Sequence, residues 1–152
     1  MSEQMRRCIE RIVSDVRVVA MGEFKENFRR KAFFDQRWKR SKKGLIDSGR
    51  LRNSLRAQIK GNSIVFSSDT PYASIHNEGG EIKVTKKMKA YFWYKYKATK
   101  EEIWKAMALK REGEEIKIPQ RQFIGDHSLL REKIEKVIVE DVNEAFSKMK
   151  FK

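Results

Sequence analysis

The two histidines are the first candidates for catalysis in this sequence. His76-Asn77-Glu78-Gly79 places an imidazole beside a carboxylate, a combination also found in metal-dependent nucleases. A metal site needs several converging ligands, yet the chain has no His-x-x-x-His, no paired aspartates and one cysteine. The other imidazole, His127, lies in a charged segment at a predicted helix start. We therefore expect His76 to be half-buried and bonded to a neighbour, and keep a nuclease-like site at His76 and Glu78 as an alternative.

Other catalytic patterns are absent from the sequence. There is no Gly-x-Ser-x-Gly elbow, no phosphate-binding loop and no dinucleotide fingerprint. The Gly79-Gly80 pair is better explained as the end of a helix than as a phosphate cradle. The sequence thus predicts no catalytic residue, no metal site and no cofactor.

Composition limits the fold and the partners. The chain has 152 residues, 39% of them hydrophobic, which is enough for a core and too many for a disordered tail. Its formal net charge of +14 predicts solubility and attraction to polyanions. No apolar run is long enough for a membrane span, and the charged stretch from Met1 to Arg11 contains no signal-peptide core. We expect a cytoplasmic protein in which Cys8 is a buried, inert thiol on a helix.

An aromatic and basic stretch lies between Lys86 and Lys100. It sets Tyr91, Phe92, Trp93, Tyr94 and Tyr96 among Lys86, Lys87, Lys89, Lys95, Lys97 and Lys100. Aromatic platforms flanked by cations bind single-stranded nucleic acid, but aromatic clusters with charged rims also form protein interfaces. The rings can also cover the core of the insertion itself. We favour an interface or a core for Tyr91, Phe92 and Trp93, and keep nucleic-acid binding as the alternative.

A second basic segment spans residues 37–43. Trp38 stands there among Arg37, Lys39, Arg40, Lys42 and Lys43, without the period of a helix or strand. This pattern predicts a solvated loop. Its charge would attract duplex phosphates without reading their sequence, so the segment belongs to the same DNA-binding alternative.

Hydrophobic periodicity predicts a long helix at each end of the chain. Apolar residues recur at helical spacing from Met5 to Phe28, and we expect this helix to end near Phe34. A second apolar stripe runs from Leu130 to Met149, with Asp126 as its predicted N-cap.

The middle of the chain predicts short helices and a small antiparallel sheet. Asp47 or Ser48 should cap a helical turn that carries Leu51 and Leu55, and residues 71–78 should form a short helix that begins at a proline. The alternating stretch 57–66 predicts a hairpin with a Gly61-Asn62 turn.

The segments 81–84 and 115–118 share one alternating pattern and should be matched strands around an insertion at about 85–113. Within it, Thr99-Lys100-Glu101-Glu102 predicts a capping box for a helix through Leu109. Residues 119–125 should be irregular. The predicted fold is α+β, one domain over residues 1–152, with a long N-terminal helix, a small antiparallel sheet with a helical insertion, and a long C-terminal helix.

Three motifs stand in order between Trp38 and Gly125. The first is Trp38 followed by Leu45-Ile46-Asp47-Ser48-Gly49-Arg50-Leu51-Arg52-Asn53-Ser54-Leu55, the second Tyr72-Ala73-Ser74-Ile75-His76-Asn77-Glu78-Gly79, and the third Ile118-Pro119-Gln120-Arg121-Gln122-Phe123-Ile124-Gly125. They resemble motifs of Mu-like virion morphogenesis proteins, also called tail completion proteins. The positions that carry the resemblance are Trp38, Gly49, Leu51, Ser54, Tyr72, Ala73, His76, Gly79, Pro119, Arg121, Phe123 and Gly125.

The resemblance implies a non-enzymatic structural protein of a tailed phage or prophage, acting in tail completion or head–tail joining. Its partners would be other phage neck or tail proteins and further copies of itself in a ring. It would be found in the bacterial host cytoplasm during assembly and then in the virion. We expect Tyr91, Phe92, Trp93 and the loop at Arg121 to lie at or near a subunit or partner contact, with Glu78 as a plausible partner of Arg121.

Overall fold

The computed structural model describes residues 1–39, 49–70 and 73–149. Its helices are α1 Glu3–Arg30, α2 Arg50–Asn53, α3 Ala73–Glu78, α4 Lys86–Thr99, α5 Glu102–Ala108 and α6 Ser128–Lys148. Its strands are β1 Ala32–Phe33, β2 Gln36–Arg37, β3 Leu55–Lys60, β4 Ser63–Ser68, β5 Gly80–Lys83 and β6 Glu115–Ile118. The α+β class and the two long terminal helices are confirmed.

The two long helices pack on each other in antiparallel directions. Arg11 near the start of α1 pairs with Glu144 near the end of α6 at 2.6 Å, and Glu23 further along α1 pairs with Lys133 nearer the start of α6. The Ser2 hydroxyl caps α1 by accepting a hydrogen bond from the Met5 amide. Most of the predicted stripe faces α6 and the core, but Met5 is exposed and Cys8, predicted to be buried, is only half-buried.

The first helix ends earlier than predicted. Lys31 adopts a left-handed conformation (φ 54°), and its amide bonds the Asn27 carbonyl, which closes α1 at Arg30. The chain then forms the short β1–β2 ribbon, a feature that the sequence analysis missed. Arg37 therefore lies in a strand, whereas residues 40–48, including the predicted caps Asp47 and Ser48, are outside the described residues.

The predicted hairpin is confirmed as β3–β4, in which Lys60 pairs with Ser63 around the Gly61-Asn62 turn. Within that turn only Gly61 has a positive φ (61°), which fits the type II′ geometry that favours glycine first. Leu55, expected in the preceding helical turn, instead starts β3.

The matched strands are confirmed as the β5–β6 ribbon, with Ile82 opposite Ile116. Where one small sheet was expected, the described strands form three separate two-stranded sheets. The insertion between β5 and β6 is a helical hairpin of α4 and α5, and we call residues 85–113 the arm. The two helices of the arm pack mainly on each other.

Two predicted helix caps were wrong. Thr99 does not begin a capping box, because it is the last residue of α4 and its hydroxyl donates to the Lys95 carbonyl one turn back. Glu101 stands at the start of α5 without a capping side-chain bond. At the start of α6 the cap is His127 and not Asp126: its Nδ1 accepts from the Leu129 amide at 3.0 Å.

The core is built largely from phenylalanines. Phe24, Phe28, Phe33, Phe34 and Phe123 are buried together with Ala20, Leu51, Leu55, Ala73 and Leu130. Phe24 meets Phe66 of β4 edge-on at 5.0 Å between ring centroids, which fixes the hairpin to α1. The core thus lies where α1, the start of α6, the hairpin and the segment around Phe123 meet.

A pair of carboxyl groups lies between the long helices. Asp141 of α6 is buried, and burial raises the pKa of its carboxyl, as does a hydrogen bond with Asp15 of α1. Hydrogen bonds from Lys148 and Arg11 lower the pKa of Glu144, one turn further along α6. The two neighbouring carboxyls therefore have opposite effects on the pH dependence of stability.

We predict that Asp141→Asn stabilises the protein at pH 7. A raised pKa means that the folded state binds the proton more tightly than the unfolded chain, so the ionised carboxyl costs stability above its folded pKa. The advantage of the variant should shrink as the pH falls through that pKa. Urea denaturation at pH 7 and at about pH 4.5 measures this difference.

Glu144→Gln is the control for this prediction. Its carboxylate, with a lowered pKa, contributes stability above its unfolded pKa, so this variant should be less stable than wild type at pH 7 and approach it in acid. An Asp141→Asn protein that unfolds at lower urea than wild type at pH 7 would contradict the prediction.

Candidate functional site

The second and third motifs meet where α3 lies against residues 119–125. The Arg121 amide donates to the His76 carbonyl at 2.8 Å. The side-chain oxygen of Asn77 accepts from two successive amides, Phe123 at 2.9 Å and Ile124 at 3.0 Å. This irregular segment, confirmed as such, thus obtains its hydrogen bonds from α3.

The first motif reaches the same segment through Trp38. Its indole nitrogen donates to the Gln122 carbonyl at 2.9 Å, across 84 residues of sequence. The ring also meets Phe28 edge-on at 5.7 Å, and Phe28 contacts Phe123 at 4.9 Å between centroids. Trp38 therefore joins the aromatic core to the backbone of the third motif.

Asn27 of α1 completes this arrangement. It is fully buried, and its side-chain amide donates to the Phe123 carbonyl at 3.1 Å. Its oxygen accepts from the Phe34 amide at 3.0 Å and from the Arg30 guanidinium at 3.1 Å. One asparagine thus binds the end of α1, the β1–β2 turn and the third motif together.

Gly79 is required by a close approach of two backbones. It ends α3 with φ 74°, and a Cβ there would lie 3.0 Å from the Gln120 amide nitrogen. The side chain of Gln120 donates to the Asn77 carbonyl at 3.2 Å, on the same side of the junction. A larger residue at position 79 would be strained and would also push the third motif away.

The remaining part of the first motif supports the hairpin. Leu51 of α2 is fully buried in the core, and Gly49 precedes α2 with φ 67°. The Ser54 hydroxyl contacts the Leu51 carbonyl and the Ser68 hydroxyl, each at 2.6 Å. Ser54 thereby connects α2 to the end of β4.

His76 occupies a buried position, more enclosed than the half-buried one expected. Burial lowers the pKa of its imidazole, and the positive charge of Arg121 lowers that pKa further. A lowered pKa keeps the ring neutral at neutral pH. The ring is therefore packed inside the motif junction and does not face solvent.

Arg121 lies in the interior, whereas the exposed residues of its loop are Pro119 and Gln120. If the Arg121 loop makes the predicted contact, its exposed residues Pro119 and Gln120 would make it and not Arg121 itself. Glu78 is exposed at the end of α3. Ala73 is buried in the core, Gly125 follows the junction, and Tyr72 lies outside the described residues.

His127 has a structural position of its own. Because Nδ1 accepts from the Leu129 amide, the proton lies on Nε2, which donates to Asp35 at 2.8 Å. Its ring stacks on Phe34 at 4.8 Å. His127 thus fixes the start of α6 on the β1–β2 turn.

The arm places its three predicted contact residues differently. Phe92 is buried inside the arm, where it packs on Trp104 of α5 at 6.1 Å between centroids. Trp93 is half-buried and Tyr91 is half exposed. Phe92 is thus a core residue of the arm, while a contact through Tyr91 and Trp93 remains a prediction.

Two kinds of feature are absent from the described ranges. Within 1–39, 49–70 and 73–149, no three His, Cys, Asp or Glu side chains are grouped so that they could hold a metal ion. None of the helices in these ranges combines the length and apolar character needed to cross a membrane.

Sequence reasoning missed Asn27 and gave Asn77 no role. Both resemble ordinary polar residues of a helix, and only Asn77 carried a signal, because it stands within the second motif. Asn27 directly precedes Phe28 on the side of the predicted helix that faces the core. A polar residue there needs a buried hydrogen-bonding partner.

We predict that Asn77→Ala destabilises the protein by about 2 to 6 kcal/mol, since two amides lose their acceptor at about 1–3 kcal/mol each. Asn77→Asp retains the oxygen and should lose much less. Urea denaturation gives the size of the loss, and hydrogen exchange at Phe123 and Ile124 gives its location. Asn143→Ala, at an exposed position of α6, is the matched control; equal losses in the two alanine variants would contradict the prediction.

Comparison with known proteins gives one family. A family model described as the phage virion morphogenesis family matches residues 28–143. No curated protein matches the chain significantly, and neither does any solved structure. The matched range includes Trp38, the α3 junction, the arm and most of α6, so the resemblance found in the three motifs is confirmed. The chain belongs to the phage virion morphogenesis family.

Proposed function

We propose that this chain is a non-enzymatic assembly protein of a tailed phage or prophage. It acts in tail completion or head–tail joining, as one domain with an arm, through contacts between subunits of a ring. Family membership supports a role in building the virion. The packing of the motif residues, which hold a folded segment in place, supports a structural role for them.

The observation that carries the proposal is the junction of α3 with residues 119–125. Asn77 bonds two backbone amides there, and the buried His76 offers its carbonyl to Arg121. A catalytic base needs access to its substrate, whereas a building block needs a surface of constant shape. The junction serves the second requirement.

A ring needs two different surfaces that meet head to tail. Several elements of the described chain carry exposed apolar side chains, and two of them outside the arm could supply these surfaces. Val139 and Phe146 lie on α6, and Ile59 and Val65 lie on the β3–β4 hairpin. Side chains of this kind usually mark contact sites when they group together. Partners are then further copies of the chain and other neck or tail proteins, first in the host cytoplasm and later in the virion.

Sequence-independent DNA binding is the second candidate function. The observation in its favour is the charge of the arm, which has nine Lys or Arg and three Glu between residues 85 and 113. Of the other basic segment, residues 37–39 are described, and Arg40, Lys42 and Lys43 are outside the described residues. Binding of this kind would weaken steeply with salt, because it depends on phosphate neutralisation.

We predict that phage or prophage particles made without this protein fail at a late step. Filled heads and tails should accumulate unjoined, or the tails should be unstable, and a plasmid copy of the gene should restore infectivity. Electron microscopy of lysates and a plaque count measure both outcomes. Normal yields of infectious particles from the null allele would refute the proposed role.

We also predict that the purified protein does not hydrolyse DNA or RNA with Mg²⁺, Mn²⁺ or Zn²⁺. The buried His76 is not accessible to a phosphodiester. A plasmid-nicking assay with each metal is the test, with His76→Gln checked for folding by circular dichroism. Cleavage by wild type that is lost in a folded His76→Gln protein would establish a nuclease instead.

A further inference from the structure

The arm is built around an interior of its own. Phe92 of α4 packs on Trp104 of α5, and Ala108 and Val84 are buried beside this helical hairpin and at its base. At the base, the Val84 amide donates to the Glu114 carbonyl and the Gly113 amide to the Val84 carbonyl, each at 2.8 Å. The arm therefore has an interior of its own, to which Tyr91 adds edge contacts with Phe92 and Trp104.

The outer face of α4 carries two exposed tyrosines between lysines. Lys87, Tyr91, Tyr94 and Lys97 follow one another at spacings of four, three and three residues, which places them on one side of a helix. Tyr91 is 51% exposed and Tyr94 is 67% exposed. Tyr91 meets Trp104 edge-on at 6.1 Å between ring centroids, yet about half of the residue remains in water. Aromatic side chains left in water among charged residues are typical of a contact surface.

The second helix of the arm adds an aliphatic surface. Ile103 is 48% exposed and Leu109 is 63% exposed on α5. Lysines stand close to the aromatic rings: Lys95 lies 5.8 Å from the centroid of Tyr91, and Lys105 the same distance from that of Tyr96. The arm thus combines apolar side chains with ammonium groups on its surface.

Charge selects among the possible occupants of this surface. The arm has nine basic residues and three acidic ones, and the chain as a whole has a net charge of +14. The arm of a second copy would bring the same sign of charge, and the rest of that copy, with 26 basic and 18 acidic residues, is also basic in sum, which disfavours association. The occupant is therefore a different, acidic molecule.

The apolar side chains separate an acidic protein from DNA. Phosphates interact with the lysines and gain nothing from Ile103 or Leu109, whereas protein interfaces bury tyrosine and aliphatic side chains at their centre. We propose that the exposed surface of the arm, to which Lys87, Tyr91, Tyr94, Lys97, Ile103 and Leu109 contribute, docks an acidic surface of a different protein. This names a partner class for the assembly role proposed above and rests on it.

The test uses the purified full-length protein and two polyanionic probes. One probe is a random glutamate–tyrosine copolymer, which has carboxylates and apolar rings, and the other is a short duplex DNA. At about 0.15 M salt, screening weakens exposed charge–charge contacts, and the copolymer should bind more tightly than the duplex. The double variant Tyr91→Ser/Tyr94→Ser should bind the copolymer about tenfold more weakly, as expected for lost aromatic contacts. Duplex binding should not change, because no cation is removed.

A matched control removes two exposed apolar side chains from another helix. Met5→Ser/Val18→Ser on α1, at residues that are 52% and 62% exposed, should bind the copolymer like wild type, with folding of both variants checked by circular dichroism. Equal weakening by the two double variants would overturn the proposal, as would a copolymer affinity that the arm variant leaves unchanged.

Two further outcomes identify a different occupant. Tighter binding of the duplex, reduced by the arm variant, would assign the surface to DNA. Self-association in sedimentation that the arm variant abolishes would assign it to a second copy. These solution measurements need no particle, so they fail or succeed independently of the null-allele experiment. A null phage with normal particles would remove the assembly role and leave the binding result as it stands.

Discussion

The backbone of residues 121–124 has to be hydrogen-bonded inside the protein without belonging to a helix or sheet. Buried amides and carbonyls that lack partners cost free energy comparable to a lost hydrogen bond. Here the partners are side chains: Asn77 accepts from two amides, while Asn27 and Trp38 each donate to a carbonyl. Because these side chains come from α1, the segment after β2 and α3, one irregular stretch determines how those elements are arranged. The start of α6 follows from the same place, since Phe123 is fixed in the core.

The arm and the rest of the described chain, here called the body, are held together by different kinds of contact. The body depends on side chains that reach across long sequence separations to one buried segment, with Phe28 and Phe123 in contact beside it. The arm depends on residues that are close in sequence, since Phe92 and Trp104 lie on consecutive helices joined by a short loop. Changes on the outside of α4 are therefore far removed from the interactions that hold the motifs, and the surface of the arm is open to variation at little cost to the fold.

Periodicity predicted the long helices, the hairpin and the matched strands because each of these is local. The Gly61-Asn62 turn and the repeated Glu-Ile-Lys pattern specify their structures within a few residues. The predictions that were wrong concern helix caps, where neighbouring residues compete for the same position. Thr99 is of a residue type that commonly caps helices, yet α4 extends to include it. His127 caps α6 because Asp35 and Phe34 orient its ring. The motifs indicated which residues form the candidate site, but Asn27 lies outside them, and its role depends on a carbonyl 96 residues away.

That separation has a consequence for the order of events during synthesis. Asn27 leaves the ribosome long before Phe123, and at about 5–20 residues per second the interval between them is roughly 5 to 20 s. During this time Phe28 on α1 lacks its contact with Phe123, so the nascent chain leaves part of an aromatic surface uncovered. A polypeptide that terminates before Phe123 lacks the segment to which Asn27, Trp38 and Asn77 bind. Only chains translated past this point can form the contacts that arrange α1, α3 and the segment after β2 around residues 121–124.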